Sequence, residues 1–148
     1  MTQYEMIRSQ LSQAVPFANY VGIEVIEVGD GVGVTALDQR DETSNHIQSQ
    51  HAGAMFTLGE AASGAALAGA FGPMIFQARP VASGASISYV KIAKGRLEAH
   101  AKTERPGPEL VKEFEEVGKS AFDITVDIRD GNGDTVVTMT VGWHVRKA

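Results

Sequence analysis

The sequence predicts an α+β domain, an antiparallel sheet carrying one apolar helix on a single face. Three observations support this. Apolar and polar residues alternate with a period of two in several segments. Tight-turn signals, Gly29-Asp30-Gly31 and DGNGD at 130–134, separate those segments. Residues 53–70 are good helix formers that are apolar on all sides, the mark of a buried helix.

Residues 3–14 read as a polar helix with Met6, Ile7 and Leu11 as a thin apolar stripe, and Pro16 ends that segment. GIEVIEV (22–28) and VGVTAL (32–37) form two strands around the first turn signal, and the polar loop DQRDETSNHIQSQ follows. Gly72-Pro73 closes the apolar helix. Strands are expected near 81–93 and 95–104, separated by Lys94-Gly95. In the second, Leu97, Ala99 and Ala101 face one way, and Arg96, Glu98, His100 and Lys102 the other. Residues 105–120 interrupt with Pro106, Pro108 and a short charged helical patch. Two strands close the chain: Phe122, Ile124, Val126 and Ile128 mark one inner face, and Val137, Met139, Val141, Trp143 and Val145 the other. A helix apolar all round needs covering on more than its sheet side, which implies a second copy of the sheet or another subunit.

The 148 residues suit one domain, 1–148, with an N-terminal helical segment at 1–16. Hydrophobic residues make up 43% and charged residues 21%, as in an ordinary soluble protein. A net charge of −5 argues against non-specific nucleic-acid binding but leaves room for a small anion held by local cations. With no cysteine, thiol chemistry and thiolate zinc sites are excluded. Glu5 and Arg8 break any export signal, and the apolar stretch 61–76 falls short of a bilayer span. The expected location is therefore the cytoplasm. The histidines at 46, 51, 100 and 144 lack ligand-like spacing, so no metal is expected.

Between positions 52 and 78 the only ionisable side chain is Glu60. A carboxylate in such surroundings is costly unless paired, hydrogen-bonded or useful. The bland reading is a salt bridge through a gap in the sheet, or a protonated acid in the core. The functional one is a base or nucleophile whose basicity is raised by an apolar setting. At the helix start, the N–H groups of Ala52, Gly53 and Ala54 lack intrahelical partners and offer an oxyanion site; small residues there also permit tight packing.

The motif NHIQSQHAGAMFTLGE places Asn45 six residues before His51, and Glu60 nine after it. With the strand order, GIEVIEVGDG and ISYVKIAKG, this resembles the hotdog-fold acyl-CoA thioesterases of the phenylacetate-degradation (PaaI-like) type over most of the chain, from Phe17 to Val145. The resemblance implies a sheet of about five to six antiparallel strands wrapped around one long helix. It also implies hydrolysis of an acyl-CoA thioester at a site shared across a dimer interface. The family's His-Gly-Gly reads His51-Ala52-Gly53 here, as in a less characterised thioesterase branch. Its helper Ser or Thr falls at Ala82, with Ser83 one place off, and one place changes the face of a strand.

Nine residues amount to about 900° of rotation and roughly 13 Å of rise, so His51 and Glu60 lie on opposite sides of the helix. Two antiparallel copies would bring Glu60 of one subunit near the helix start of the other. A dimer, or a dimer of dimers, is the expectation.

In this reading Glu60 is nucleophile or general base, the amides of Ala52 and Gly53 polarise the carbonyl, and Asn45 positions carbonyl or water. Asn45 is equally at home as a turn or cap residue. His51 orders the loop and helix entry, and Ser83, Lys91 and Arg96 contact substrate. Lys94, Lys102, Arg105 and Arg79 are further candidates for the CoA phosphates, though any one of them also reads as a solvated strand face. Met55, Phe56, Leu58 and Leu67 read as core. No cofactor is expected beyond the CoA of the substrate. Two alternatives remain: a non-catalytic acyl-CoA-binding protein, or a hydratase or dehydratase pairing His46 with Glu60, whose family motif has prolines that 47–59 lacks.

Overall fold

The structure, a computed structural model, describes residues 1–148. Helix α1 (Gln3–Ala14) starts in a capping box, in which the Glu5 N–H donates to Thr2 Oγ1 (3.1 Å) and the Thr2 N–H to the Glu5 carboxylate (3.0 Å). Of the expected stripe, Ile7 is buried, Leu11 is half-buried and Met6 is exposed. Pro16 does more than end α1. It opens a second short helix, α2 (Pro16–Val21), in the first turn, where a missing N–H costs nothing.

Strands β1 (Glu24–Gly29) and β2 (Val32–Leu37) form the expected hairpin, with Gly29 opposite Val32. Then come the long helix α3 (Ala52–Phe71), β3 (Ala78–Tyr89), β4 (Leu97–Thr103), α4 (Gly107–Val117), β5 (Lys119–Arg129) and β6 (Thr135–Lys147). All six strands lie in one antiparallel sheet of order β1-β2-β4-β5-β6-β3.

The two strands expected around Lys94-Gly95 are therefore not neighbours. β3 pairs with β6 and forms an edge, while β4 pairs with β2 and β5. The intervening segment is held elsewhere: the Gln50 N–H donates to the Ala93 carbonyl (2.8 Å) and the Gly95 N–H to Gln39 Oε1 (2.7 Å). These bonds carry the chain across the sheet instead of reversing it.

The alternation in β4, β5 and β6 sets the inner face. Leu97, Ala99, Ala101, Phe122, Ile124, Val126, Ile128 and the Val137-to-Val145 series are buried, and the sheet curves around α3. Backbones meet where the β1–β2 hairpin crosses the helix. A Cβ on Gly69 would overlap the Gly29 carbonyl oxygen, and one on Gly33 would strike the Ala62 carbonyl and the Ala66 amide. Glycine is what permits this approach.

From Ala62 onward α3 is almost wholly buried. Leu110 and Phe114 of α4 cover one flank, with Phe114 edge-on to Phe71 at 5.5 Å. The first half is open along one side: Ala52, Gly53 and Phe56 are exposed, and Thr57, Glu60 and Ala61 are half-buried. The 12-residue edge β3 is exposed along most of its length. Its backbone is paired on the β6 side alone.

Candidate functional site

The loop into α3 is built on Asn45. Its side-chain oxygen accepts from the Ile47 and Ser49 N–H groups (both 3.0 Å), and its amide donates to Ser49 Oγ (2.8 Å). One amide hydrogen remains for another acceptor. His51 is the N-cap: its Nδ1 accepts from the Gly53 N–H at 2.8 Å, which places the ring proton on Nε2. The Met55 N–H donates to the His51 carbonyl. This revises the expected oxyanion site. The Gly53 amide is committed to His51, and the donors of the first turn that no protein acceptor satisfies are those of Ala52 and Ala54. Tyr89, at the end of β3, donates its hydroxyl to the Ala52 carbonyl (3.1 Å).

Two turns on, Glu60 makes no ion pair, and no side chain in the chain donates to its carboxyl group. Burial pushes that carboxyl above its ordinary value of 4.5. The position of its backbone is fixed from the sheet: Trp143 Nε1 donates to Ser63 Oγ (2.9 Å), which donates to the Glu60 carbonyl (2.6 Å).

Glu60 lines an apolar pocket of about 240 Å³ between α3 and the N-terminal helices. Leu11, Val15 and Ala18 form the outer wall, and Ile23, Val25, Ile75 and Trp143 close it toward the sheet. His51 and Gly53 line a different groove, of about 310 Å³, with Phe17, Tyr20, Arg40 and Thr57. The acid and the helix start thus open on separate spaces of one chain. Arg40 lies on the wall of the second groove. Its guanidinium donates to the Tyr20 and Val21 carbonyls (2.9 and 2.7 Å), so the end of α2 is tied to the turn that precedes Asn45.

The remaining expected contacts lie elsewhere. Ser83 occupies a bulge in β3, where the register shifts between Ala82 and Gly84. Its Oγ lies beside Gly142 and near Asp123, on the sheet's outer face and away from α3. Lys91 is paired with Asp134 (2.9 Å) and Asp130 (3.6 Å), and Arg96 with Asp38 (2.9 Å) and Glu24 (3.2 Å). Both cations are exposed and already neutralised. Lys94 stands beside them with no ion pair. His46 is exposed on the loop and is not part of the Glu60 pocket.

In the sequence Leu11 reads as part of a thin apolar stripe and Trp143 as an inner-face strand residue, and Val15 carries no signal of its own. The stripe was the visible signal, but what it covers depends on how α1 docks. Tyr89 carries no such signal either, because its partner lies 37 positions away.

A family model for DUF4442, a domain of unknown function, matches residues 4–145. The chain belongs to the DUF4442 family. No curated protein matches it. Among solved structures, this DUF4442 chain is similar to a Pseudomonas aeruginosa protein of unknown function described as a probable thioesterase. The two are 24% identical over 97% of this chain and 95% of that one, with a TM-score of 0.82. It is also similar to the PaaI protein of the Escherichia coli phenylacetic acid degradation operon, at 20% identity over 99% and 94% of the chains and a TM-score of 0.74. A hypothetical thioesterase of Streptococcus pneumoniae, solved with coenzyme A, is 21% identical over 85% and 87%, with a TM-score of 0.66. At these identities the likeness shows the fold: the DUF4442 chain is a hotdog domain. No helix in it is long and apolar enough to cross a membrane.

Proposed function

We propose that this protein hydrolyses acyl-CoA thioesters, with Glu60 as general base or nucleophile. The observation that carries the reading is a carboxyl group on the central helix with no compensating partner, its basicity raised by burial, at an apolar pocket able to take an acyl group. A structural acid in that position would be expected to have a cation or donor beside it. The coenzyme A held by the pneumococcal neighbour is consistent with a CoA ester as substrate.

The reaction needs a second copy of the chain. The open edge of β3 offers unpaired backbone for such a copy, and the open side of the first half of α3 offers a face. Glu60 of one protomer then faces the helix start of its partner, where the Ala52 and Ala54 amides stabilise the oxyanion. Glu60 takes a proton from water as the water oxygen attacks the carbonyl carbon, or attacks it directly to form a mixed anhydride that water afterwards cleaves to the free acid and the regenerated carboxylate. Collapse expels the CoA thiolate, which takes up a proton. Asn45 holds its loop in shape and offers its remaining N–H to water or carbonyl. Lys94 is the unpaired cation nearest to Lys91 and Arg96 in sequence and the better candidate for a CoA phosphate.

Thiol release from short, medium, long and aryl acyl-CoAs, wild type beside Glu60→Ala, tests this. A loss of about 100-fold or more in the variant is expected for removal of a catalytic base. Saturable binding of CoA esters without thiol release would instead make the protein a binder.

A further inference from the structure

The Glu60 pocket has a shape as well as a polarity. Its α3 wall runs from Glu60 through Gly64 to Ala68, two helical turns or roughly 12 Å. A volume of about 240 Å³ spread over that length leaves a mean cross-section on the order of 20 Å², the width of one extended hydrocarbon chain. The walls facing α3 are mainly aliphatic, from Leu11, Val15, Ile23 and Val25, and the far end is stopped by Leu67, Ala68 and Ile75. The single aromatic lining residue, Trp143, has its N–H tied to Ser63. The one uncharged polar side chain in the lining is that of Asn19.

We propose that this pocket binds a straight, medium-length acyl chain, and that Leu11 and Ala68 gauge its length. The inference rests on the acyl-CoA reading of Glu60. An extended chain advances about 1.2 Å per bond, so 12 Å takes roughly eight to ten carbons beyond the carboxyl end. Short acyl groups leave the far half of the pocket unfilled and forgo about threefold to fourfold in kcat/KM per missing methylene. Longer chains meet the floor made by Ala68 and Ile75. A single ring, which a cavity of about 150 Å³ already accommodates, would leave much of the length empty.

Two measurements on the full chain separate the pocket from the chemistry. The first is thiol release from acetyl- to palmitoyl-CoA and phenylacetyl-CoA. The second is calorimetric binding of alkyl-CoA thioethers of the same lengths, which cannot be hydrolysed. Each is made on wild type, Ala68→Leu and Leu11→Ala. Ala68→Leu raises the floor, and the preference for butyryl over octanoyl is expected to rise at least tenfold. Leu11→Ala removes wall and shifts preference toward longer chains, which keeps the test informative if Ala68→Leu fails to fold.

A wild-type optimum near octanoyl or decanoyl, with opposite shifts in the two variants, supports the proposal. Length-selective thioether binding with those shifts but no thiol release supports the pocket and removes the hydrolase reading. An optimum at palmitoyl or phenylacetyl, or variants that leave the length preference unchanged, overturns the pocket while hydrolysis stands. Neither release nor binding overturns both.

Discussion

Trp143 on β6 reaches the central helix through Ser63, donating its indole N–H to Ser63 Oγ at 2.9 Å. The same hydroxyl donates to the Glu60 carbonyl at 2.6 Å. The sheet therefore grips the helix at the turn that carries the candidate base. Trp143→Phe keeps the apolar bulk and removes the donor. A loss of about 1–3 kcal/mol in urea unfolding is expected from the missing bond and the smaller ring. A change within ~0.3 kcal/mol would show the bond to be unimportant for stability.

Glu60 has a pH signature apart from catalysis. Burial raises its carboxyl above 4.5, so from that pH up to its folded value the native state keeps a proton that the unfolded chain has released. Stability then falls as pH rises through this window, and the loss is complete above it. Glu60→Gln has no such loss. Relative to wild type, it should gain stability at pH 7.5 and little at pH 4. Parallel unfolding curves for the two proteins at both pH values would contradict an apolar setting for the acid.

Ala52→Pro isolates the helix-start amide. Proline is well tolerated at the first helical position, and His51 already has the extended backbone that precedes proline (φ −70°, ψ 141°). The variant should fold normally and lose about 10²–10³ in kcat, as for removal of one oxyanion donor. Mixed with Glu60→Gln and allowed to exchange subunits, it should recover about a quarter of wild-type turnover, because half the dimers then hold one intact shared site. No recovery after verified exchange would place acid and amide in one protomer.

His51→Ala removes the side-chain cap from Gly53 and should cost about 0.5–2 kcal/mol. His51→Asn, which can cap in the same way, should restore most of it. If both variants lose activity equally while Asn restores stability, the imidazole has a role beyond the cap.

Gly69→Ala tests the backbone contact between α3 and the first hairpin. Its Cβ would overlap the Gly29 carbonyl oxygen, so the gain in helix propensity of up to about 1 kcal/mol should be reversed into a clear loss of thermal stability.

Much of this architecture was legible from local pattern. Phe122 to Ile128 and Val137 to Val145 announce their inner faces because strand period is a local property, and they are buried as expected. Glu60 stood out because it is alone in its stretch, and the structure leaves it without a partner. Pairings between distant segments were not legible. β3 lies beside β6 rather than β4, and its bulge turns Ser83 outward. Lys91 and Arg96 looked free because the acids that neutralise them are up to 72 positions away. Pro16 read as an end because a proline that terminates one helix and one that begins another look the same until the chain beyond is placed.

Arg40 holds α2 by two of its carbonyl oxygens, those of Tyr20 and Val21. Every residue type has a carbonyl, so this anchorage is indifferent to what α2 is made of. Val15 and Ala18 can then drift during evolution, widening or narrowing the space beneath them, while the helix stays moored. A fold arranged in this way can change what it accepts without first rebuilding what holds it shut.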